Sequence, residues 1–120
     1  MQTDLYIDGN WVPSQSAQRF DVMNPATEDV IASVASADVF DADLALNAAS
    51  TAMQEWAARS PRDRSEVLRK AWELMTARLP EFARLITLEN GKASADAMGE
   101  ATYAAEFFRW FAEEAVRVDG

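Results

Sequence analysis

With 120 residues, 49% of them apolar and 26% charged, the chain has the composition of one soluble globular domain or of part of one. Its formal net charge of −9 argues against a nucleic-acid or anionic-membrane surface, because both need clustered Lys and Arg. It contains neither Cys nor His, which excludes disulfides, thiolate nucleophiles, Cys metal sites and every Ser-His or Cys-His arrangement.

The start, Met1 to Gly9, carries acid early and lacks an apolar run, so it does not read as a signal peptide. No window approaches the roughly 20 apolar residues that span a bilayer, and a cytoplasmic protein is expected. Leu5-Tyr6-Ile7 and Trp11-Val12 are β-prone runs separated by Asp8-Gly9-Asn10. Asp-Gly between apolar runs predicts a hairpin. Pro13 and the polar stretch that follows end it. Phe20-Asp21-Val22-Met23 predicts a third strand, Asn24-Pro25-Ala26-Thr27 a turn, and Val30 to Val34 the returning strand. Two hairpins of this size are marginal alone and normally rest on something larger.

From about Ala37 the apolar period changes from 2 to 3.6. A first helix is predicted from Asp41, a candidate cap, to Arg59, with Ala45, Ala49, Ala52 and Trp56 as its apolar stripe. Ser60-Pro61-Arg62-Asp63 carries a cap, a Pro at the first helical position and a carboxylate two residues later, which is a start signal. The second helix then runs to about Arg78 with Leu68, Trp72, Met75 and Leu79 along its stripe. Pro80 opens a shorter third helix with Phe82, Leu85 and Ile86 inside, closed by Gly91 in the left-handed conformation.

The fourth helix is the longest, reading from Ser94 as N-cap, with Asp96 in the first turn, through Val118 to Gly120 as its stop. At 100° per residue, Glu106, Arg109, Glu113 and Arg117 form one polar stripe of alternating sign. Ala101, Ala104, Ala105, Phe108, Phe111, Ala112 and Ala115 fall on the opposite side, and Tyr103, Phe107 and Trp110 flank the stripe. This apolar arc is wider than one neighbouring helix covers, so the helix needs apolar partners on two or three sides.

Few residues offer chemistry directly. Acidic pairs such as Glu113-Glu114 read as a solvated face rather than an acid–base couple. The four glycines, at positions 9, 91, 99 and 120, are too scattered for a nucleotide-phosphate loop. Phe107, Phe108, Trp110 and Phe111 read mainly as core packing, while Tyr103 and Trp110, at the polar boundary and with polar handles, are the candidates for lining an apolar channel. In Glu89-Asn90-Gly91-Lys92, Gly91 and Lys92 fit a helix C-terminus. Glu89 faces the unfavourable end of the helix dipole there, so it calls for a cationic partner, either Lys92 or a bound cation.

Taken in order, several stretches resemble the N-terminal region of the aldehyde dehydrogenase superfamily. They are Tyr6-Ile7-Asp8-Gly9-Asn10-Trp11-Val12, then Phe20 through Thr27 with its Asn24-Pro25. Trp56 before the Arg62-Asp63-Arg64 helix start follows, then Leu88-Glu89-Asn90-Gly91-Lys92. The last is Gly99-Glu100, Tyr103-Ala104-Ala105 and Trp110-Phe111-Ala112-Glu113-Glu114. The final helix is most similar to that of succinate-semialdehyde dehydrogenases.

The resemblance implies an α/β fold. This chain would cover two short N-terminal β-hairpins (1–36) and four α-helices (37–120), an incomplete part of the cofactor-binding domain. It implies oxidation of an aldehyde, such as succinate semialdehyde, to the acid with NAD or NADP. The steps are thiolate attack, hydride transfer and thioester hydrolysis, in an enzyme that is a homo-oligomer when full length. The family's nucleophilic cysteine and general-base glutamate match no residue here, so the chain reads as an N-terminal fragment without catalytic or cofactor-binding residues. Its partners would be the remainder of its own enzyme and a small aldehyde, with no nucleic acid and no membrane. Two sites carry over by the resemblance. A monovalent cation, sodium or potassium, would be held by the main-chain carbonyls of Val22 and Met23 and by Glu89. Tyr103 would line the substrate tunnel. Two other readings compete: a non-catalytic helical interaction module derived from that fold, and a complete small enzyme working with carboxylates alone.

Overall fold

The computed structural model describes residues 2–117, which fall into two units, Met1–Ala57 and Ala58–Gly120.

In the first unit the Asp-Gly signal works as the sequence predicts. Asp8 (φ 50) and Gly9 (φ 77) both take the left-handed conformation that a two-residue hairpin turn requires. They join β1 (Leu5–Ile7) to β2 (Asn10–Val12) in antiparallel register, Leu5 opposite Val12 and Tyr6 opposite Trp11. The Asn10 amide donates to the Asp8 carbonyl across the turn at 2.8 Å, and the facing Tyr6 and Trp11 rings lie 5.0 Å apart.

The second hairpin pairs β3 (Arg19–Met23) with β4 (Val30–Ala35) as a separate two-stranded sheet. Val22 faces Ala32 while Met23 faces Val30, so Ile31 is an extra residue in β4, a bulge beside the turn. The Asn24 side chain accepts from the Ala26 N–H at 2.9 Å and its carbonyl from the Glu28 N–H at 2.8 Å, which builds the turn before Pro25 can interrupt any ladder.

Arg19 ties these pieces together. Its guanidinium donates to the Asp4 carboxylate (2.8 Å), the Thr3 hydroxyl (2.7 Å) and the Ser33 carbonyl (2.8 Å), while the Ala35 N–H donates to the Thr3 carbonyl (2.8 Å). The segment leading into β1 is thereby fixed to the β3–β4 hairpin.

Helix α1 (Val39–Ala58) begins two residues earlier than the sequence reading placed it. Asp38 is the cap, its carboxylate accepting from the Phe40 and Asp41 N–H groups at 2.8 and 3.1 Å. Asp41 answers as the reciprocal partner of a capping box, accepting from the Asp38 N–H at 3.0 Å. Its second oxygen accepts from the Gln15 N–H, also at 3.0 Å, so the loop after β2 hangs on the start of α1. Asp41 is 2% exposed and is the one buried residue of α1. Ala45, Ala49, Ala52 and Trp56, expected to be a packing stripe, are exposed.

The second unit is helical. Ser60 caps α2 (Pro61–Ala77) by accepting from the Asp63 N–H at 3.1 Å, with Pro61 in the first turn. Helix α3 (Leu79–Asn90) starts at Leu79 beside Pro80 and ends at Gly91, whose φ of 73 and N–H bond to the Thr87 carbonyl close it. Helix α4 (Ser94–Ala115) packs on both α2 and α3. Its N-cap is Ala93 without a side-chain cap; Ser94, expected to be the cap, is already helical. The helix closes at Ala115 with Val116 beyond it, short of the extent expected from the sequence; Val118 and Gly120 lie outside the described residues.

Small residues make the α4 seam. Ala97, Ala101, Ala105 and Ala112 are buried, on one side of the helix, and let the neighbouring backbones approach closely. Ser65 of α2 and Ala83 of α3 are buried with them, and Leu68, Trp72, Met75, Leu79, Leu85 and Ile86 are half-buried.

Replacing Asp41 by Ala removes the buried acceptor of two backbone donors, the Asp38 and Gln15 N–H groups. It is expected to lower the stability of the protein by about 2 kcal/mol in denaturant unfolding. The Gln15 amide should exchange with solvent hydrogen markedly faster than in the parent.

Candidate functional site

The described surface of the second unit is dominated by an aromatic arc on α4. Residues 103, 107 and 111 recur at i+4, and Trp110 lies beside them, so the four rings share one side of the helix, offset from the alanine seam. Tyr103 meets Phe107 edge to face, with centroids 5.0 Å apart and planes at 78°. Phe107 continues to Phe111, stacked at 6.5 Å. These contacts run along a single helix rather than between helices. Tyr103 is 67% exposed and Trp110 62%. Phe107, Phe108 and Phe111, expected mainly as core, are exposed as well. For Tyr103, Phe107, Trp110 and Phe111 the reason is steric: α2 and α3 sit against the alanine face, and these rings fall outside it. Phe107, Phe108 and Phe111 line a depression with Leu68 of α2.

Tyr103, Glu106, Phe107, Arg109, Trp110, Phe111 and Glu113 together border one open groove. Its polar rim follows the predicted stripe in part. Arg109 pairs with Glu106 at 2.6 Å, and its guanidinium also lies 5.8 Å from the Trp72 ring centre. Arg117 pairs with Glu114 at 2.7 Å rather than with Glu113. A groove of this kind offers apolar surface to a ligand or neighbour, with a phenol hydroxyl and an indole N–H as its polar handles. Its candidate acid–base groups are the carboxylates of Glu106 and Glu113, of which Glu106 is paired with Arg109.

The second candidate lies where α3 meets α4. Gly91 turns the chain, and Lys92 reaches Glu100 on the second turn of α4 to form an ion pair. Lys92 is therefore not the partner of Glu89, as one reading of the sequence had it. Glu89 is exposed on the last turn of α3 and has no hydrogen bond or ion pair among the described residues. The other reading of the sequence gave Glu89 a bound cation, and a carboxylate oxygen is a hard ligand of the kind such a cation takes. Val22 and Met23, the proposed carbonyl donors, belong to β3 of the first unit, at the bulge that precedes Asn24.

Elsewhere the charges behave as a solvated surface. Arg69 on the outer side of α2 is held by Glu66 at 2.7 Å and by Glu73. The Glu66 hydrogen bond, then the charges of Glu66 and Glu73, raise its pKa above the usual arginine value. Residues the sequence reading did not single out are structural. Arg19 is legible only once Thr3, Asp4 and Ser33 are near it. Thr87 buries its hydroxyl oxygen without a partner inside α3. No helix among the described residues is long and apolar enough to cross a membrane.

Residues 11–120 match the aldehyde dehydrogenase family. The chain is 43% identical to glutarate-semialdehyde dehydrogenase of Pseudomonas putida over 96% of its own length and 24% of that protein. It is 53% identical to succinate-semialdehyde dehydrogenase of Paenarthrobacter nicotinovorans over 73% of the chain and 20% of that protein. Among solved structures it superposes on an NADP-dependent enzyme of Escherichia coli with a TM-score of 0.96 at 37% identity, covering 98% of the chain and 24% of that structure. The chain thus spans about a quarter of the length of the relatives it matches.

The seam and the arc should respond oppositely to substitution. Ala105→Leu is expected to destabilise the protein by about 1–3 kcal/mol through overpacking. Glu106→Gln, at the exposed rim, should stay within about 0.5 kcal/mol. Denaturant unfolding of both variants beside the parent checks this.

Proposed function

The chain belongs to the aldehyde dehydrogenase family, and from that membership we propose that it is the N-terminal part of the cofactor-binding domain of an enzyme that oxidises a semialdehyde to the carboxylic acid with NAD or NADP. The observation that carries the substrate class is the identity to relatives named for succinate and glutarate semialdehyde. Both are aldehydes with a carboxylate at the far end of a short chain. Both cofactors remain in view: a similar structure holds nicotinamide adenine dinucleotide, and an Escherichia coli relative is named for NADP.

In this reading the chain contributes framework and surface, not the reacting groups. A sequence without Cys or His has no thiolate to attack an aldehyde. Of its glycines, Gly9 serves a hairpin turn and Gly91 closes a helix. Gly99 lies inside α4, and the NAD(P)-holding residues belong to the rest of the enzyme. The aromatic arc of α4 is where the chain meets that remainder, and Tyr103 borders the route by which the aldehyde enters. The carbonyls of Val22 and Met23 and the carboxylate of Glu89 hold sodium or potassium, which supplies the positive charge that Glu89 lacks. A cytoplasmic, homo-oligomeric enzyme is the form expected.

The test is a kinetic comparison on the protein translated from the whole gene that contains this chain. Succinate and glutarate semialdehydes should be oxidised with kcat/KM on the order of a hundredfold above butanal, which lacks the carboxylate. Equal use of butanal would overturn the substrate class, and no cofactor reduction with any aldehyde would overturn the reaction. The 120-residue chain alone should give no turnover; activity above background would refute the assignment of catalysis to the remainder. Glu89→Gln should weaken the response of thermal stability to added potassium or sodium, and an unchanged response would remove the cation from the proposal.

A further inference from the structure

The motif Glu89-Asn90-Gly91-Lys92 contains one residue that neither the helix cap nor the proposed cation site uses. We propose that Asn90 is a site of spontaneous deamidation, gated by the last hydrogen bond of α3. Its substrate is the protein itself and its co-reactant is water.

The chemistry follows from the neighbour. In an Asn-Gly pair the backbone nitrogen of the glycine can attack Cγ of the asparagine side chain with no Cβ in the way. A bond forms between the Gly91 nitrogen and Asn90 Cγ. The Cγ–Nδ2 bond breaks, and ammonia leaves with the proton that the backbone amide gives up. Water then adds to one or other carbonyl of the five-membered imide and opens it. The product is aspartate or, with the main chain rerouted through the side chain, isoaspartate at position 90. No oxidant or reductant enters.

Four asparagines are present, and each has a different successor: Asn10-Trp11, Asn24-Pro25, Asn47-Ala48 and Asn90-Gly91. Pro25 has no amide hydrogen to give up, and Trp11 and Ala48 place a Cβ beside the attacking nitrogen. The first two are also held locally. Asn10 donates its side-chain amide to Asp8, and Asn24 uses its side-chain oxygen in the turn. Asn47 sits inside α1, away from either end. Asn90 is the last residue of α3, is exposed, and has no side-chain hydrogen bond among the described residues.

One contact restrains the reaction. The Gly91 N–H donates to the Thr87 carbonyl at 2.9 Å, and Gly91 holds φ 73. While that bond stands, the nitrogen is committed to the helix. A terminal turn opens at low free-energy cost, far below global unfolding. With no cation bound to it, Glu89 adds a negative charge at the negative end of the same helix, which favours the opening. Deamidation therefore proceeds from the frayed turn, and it sets a second carboxylate beside Glu89 where the helix dipole least tolerates one.

The experiment is timed incubation of the protein at mildly alkaline pH, followed by peptide mapping with mass spectrometry and isoaspartate-specific methyl labelling. Conversion at Asn90 should run about tenfold or more ahead of Asn10, Asn24 and Asn47, because it alone is followed by Gly and lies on a terminal helical turn. Urea below the unfolding transition should raise the rate at Asn90, and Asn90→Gln, which would need a larger ring, should remove the labelled peptide. Conversion no faster than at Asn47 would overturn the site. An intact Asn90 after the urea-unfolded chain has fully converted would do the same. A rate indifferent to urea would overturn the gate.

Discussion

The close approach of α2 and α3 to the alanine side of α4 is the constraint on which the second unit depends. Ala97, Ala101, Ala105 and Ala112 are buried because their side chains are short enough for two neighbouring helices to reach the α4 backbone. Most large side chains of the same helix, Phe108 excepted, are left on other faces. Tyr103, Phe107 and Phe111 then pack along the helix on one another, edge to face and stacked, with Trp110 exposed beside them. Burial would reward these rings far more than it rewards an alanine. A seam built from the smallest apolar residues beside an arc built from the largest means that what this helix contributes beyond its own unit comes from the arc.

The first unit solves a different problem. Two short hairpins in separate sheets have little apolar surface of their own, and side-chain polar groups hold them in place. Arg19 gathers Thr3, Asp4 and Ser33, and Asp41 gathers Asp38 and Gln15. Both clusters join segments distant in sequence, the Arg19 one at the exposed surface and the Asp41 one around a buried carboxylate. Charge-assisted bonds of this sort are stronger than neutral ones, and they lose most when one partner is removed. The two units of this chain thus rest on unlike physics, one on close backbone approach and the other on directed polar contacts.

Membership of the aldehyde dehydrogenase family gives these features a context. A chain that supplies framework, a turn beside a bulge and an aromatic surface can shape a site whose reacting groups come from elsewhere. The Lys92–Glu100 pair shows how little the local sequence fixes such matters. Lys92 lies three residues from Glu89 and eight from Glu100, yet the reversal of direction at Gly91 brings the more distant carboxylate to it.

The sequence by itself determined what depends on neighbours along the chain. Asp8-Gly9 can hardly be anything but a tight hairpin turn, Ser60-Pro61 and Gly91 bound their helices as local backbone preference dictates, and the order of hairpins and helices follows from periodicity. The motif order was enough to identify the family. The absence of Cys and His was equally plain from composition. Tertiary structure decided the rest. Asp38 rather than Asp41 caps α1, because Asp41 is drawn inward to the Gln15 amide while it still completes the capping box. Ser94 is passed over as a cap, and the arc at Phe107 and Phe111 stays exposed while smaller alanines are buried. A helical periodicity shows which faces are apolar, but which apolar face a neighbour takes is settled by how closely two backbones can approach, and that distance is a property of both partners.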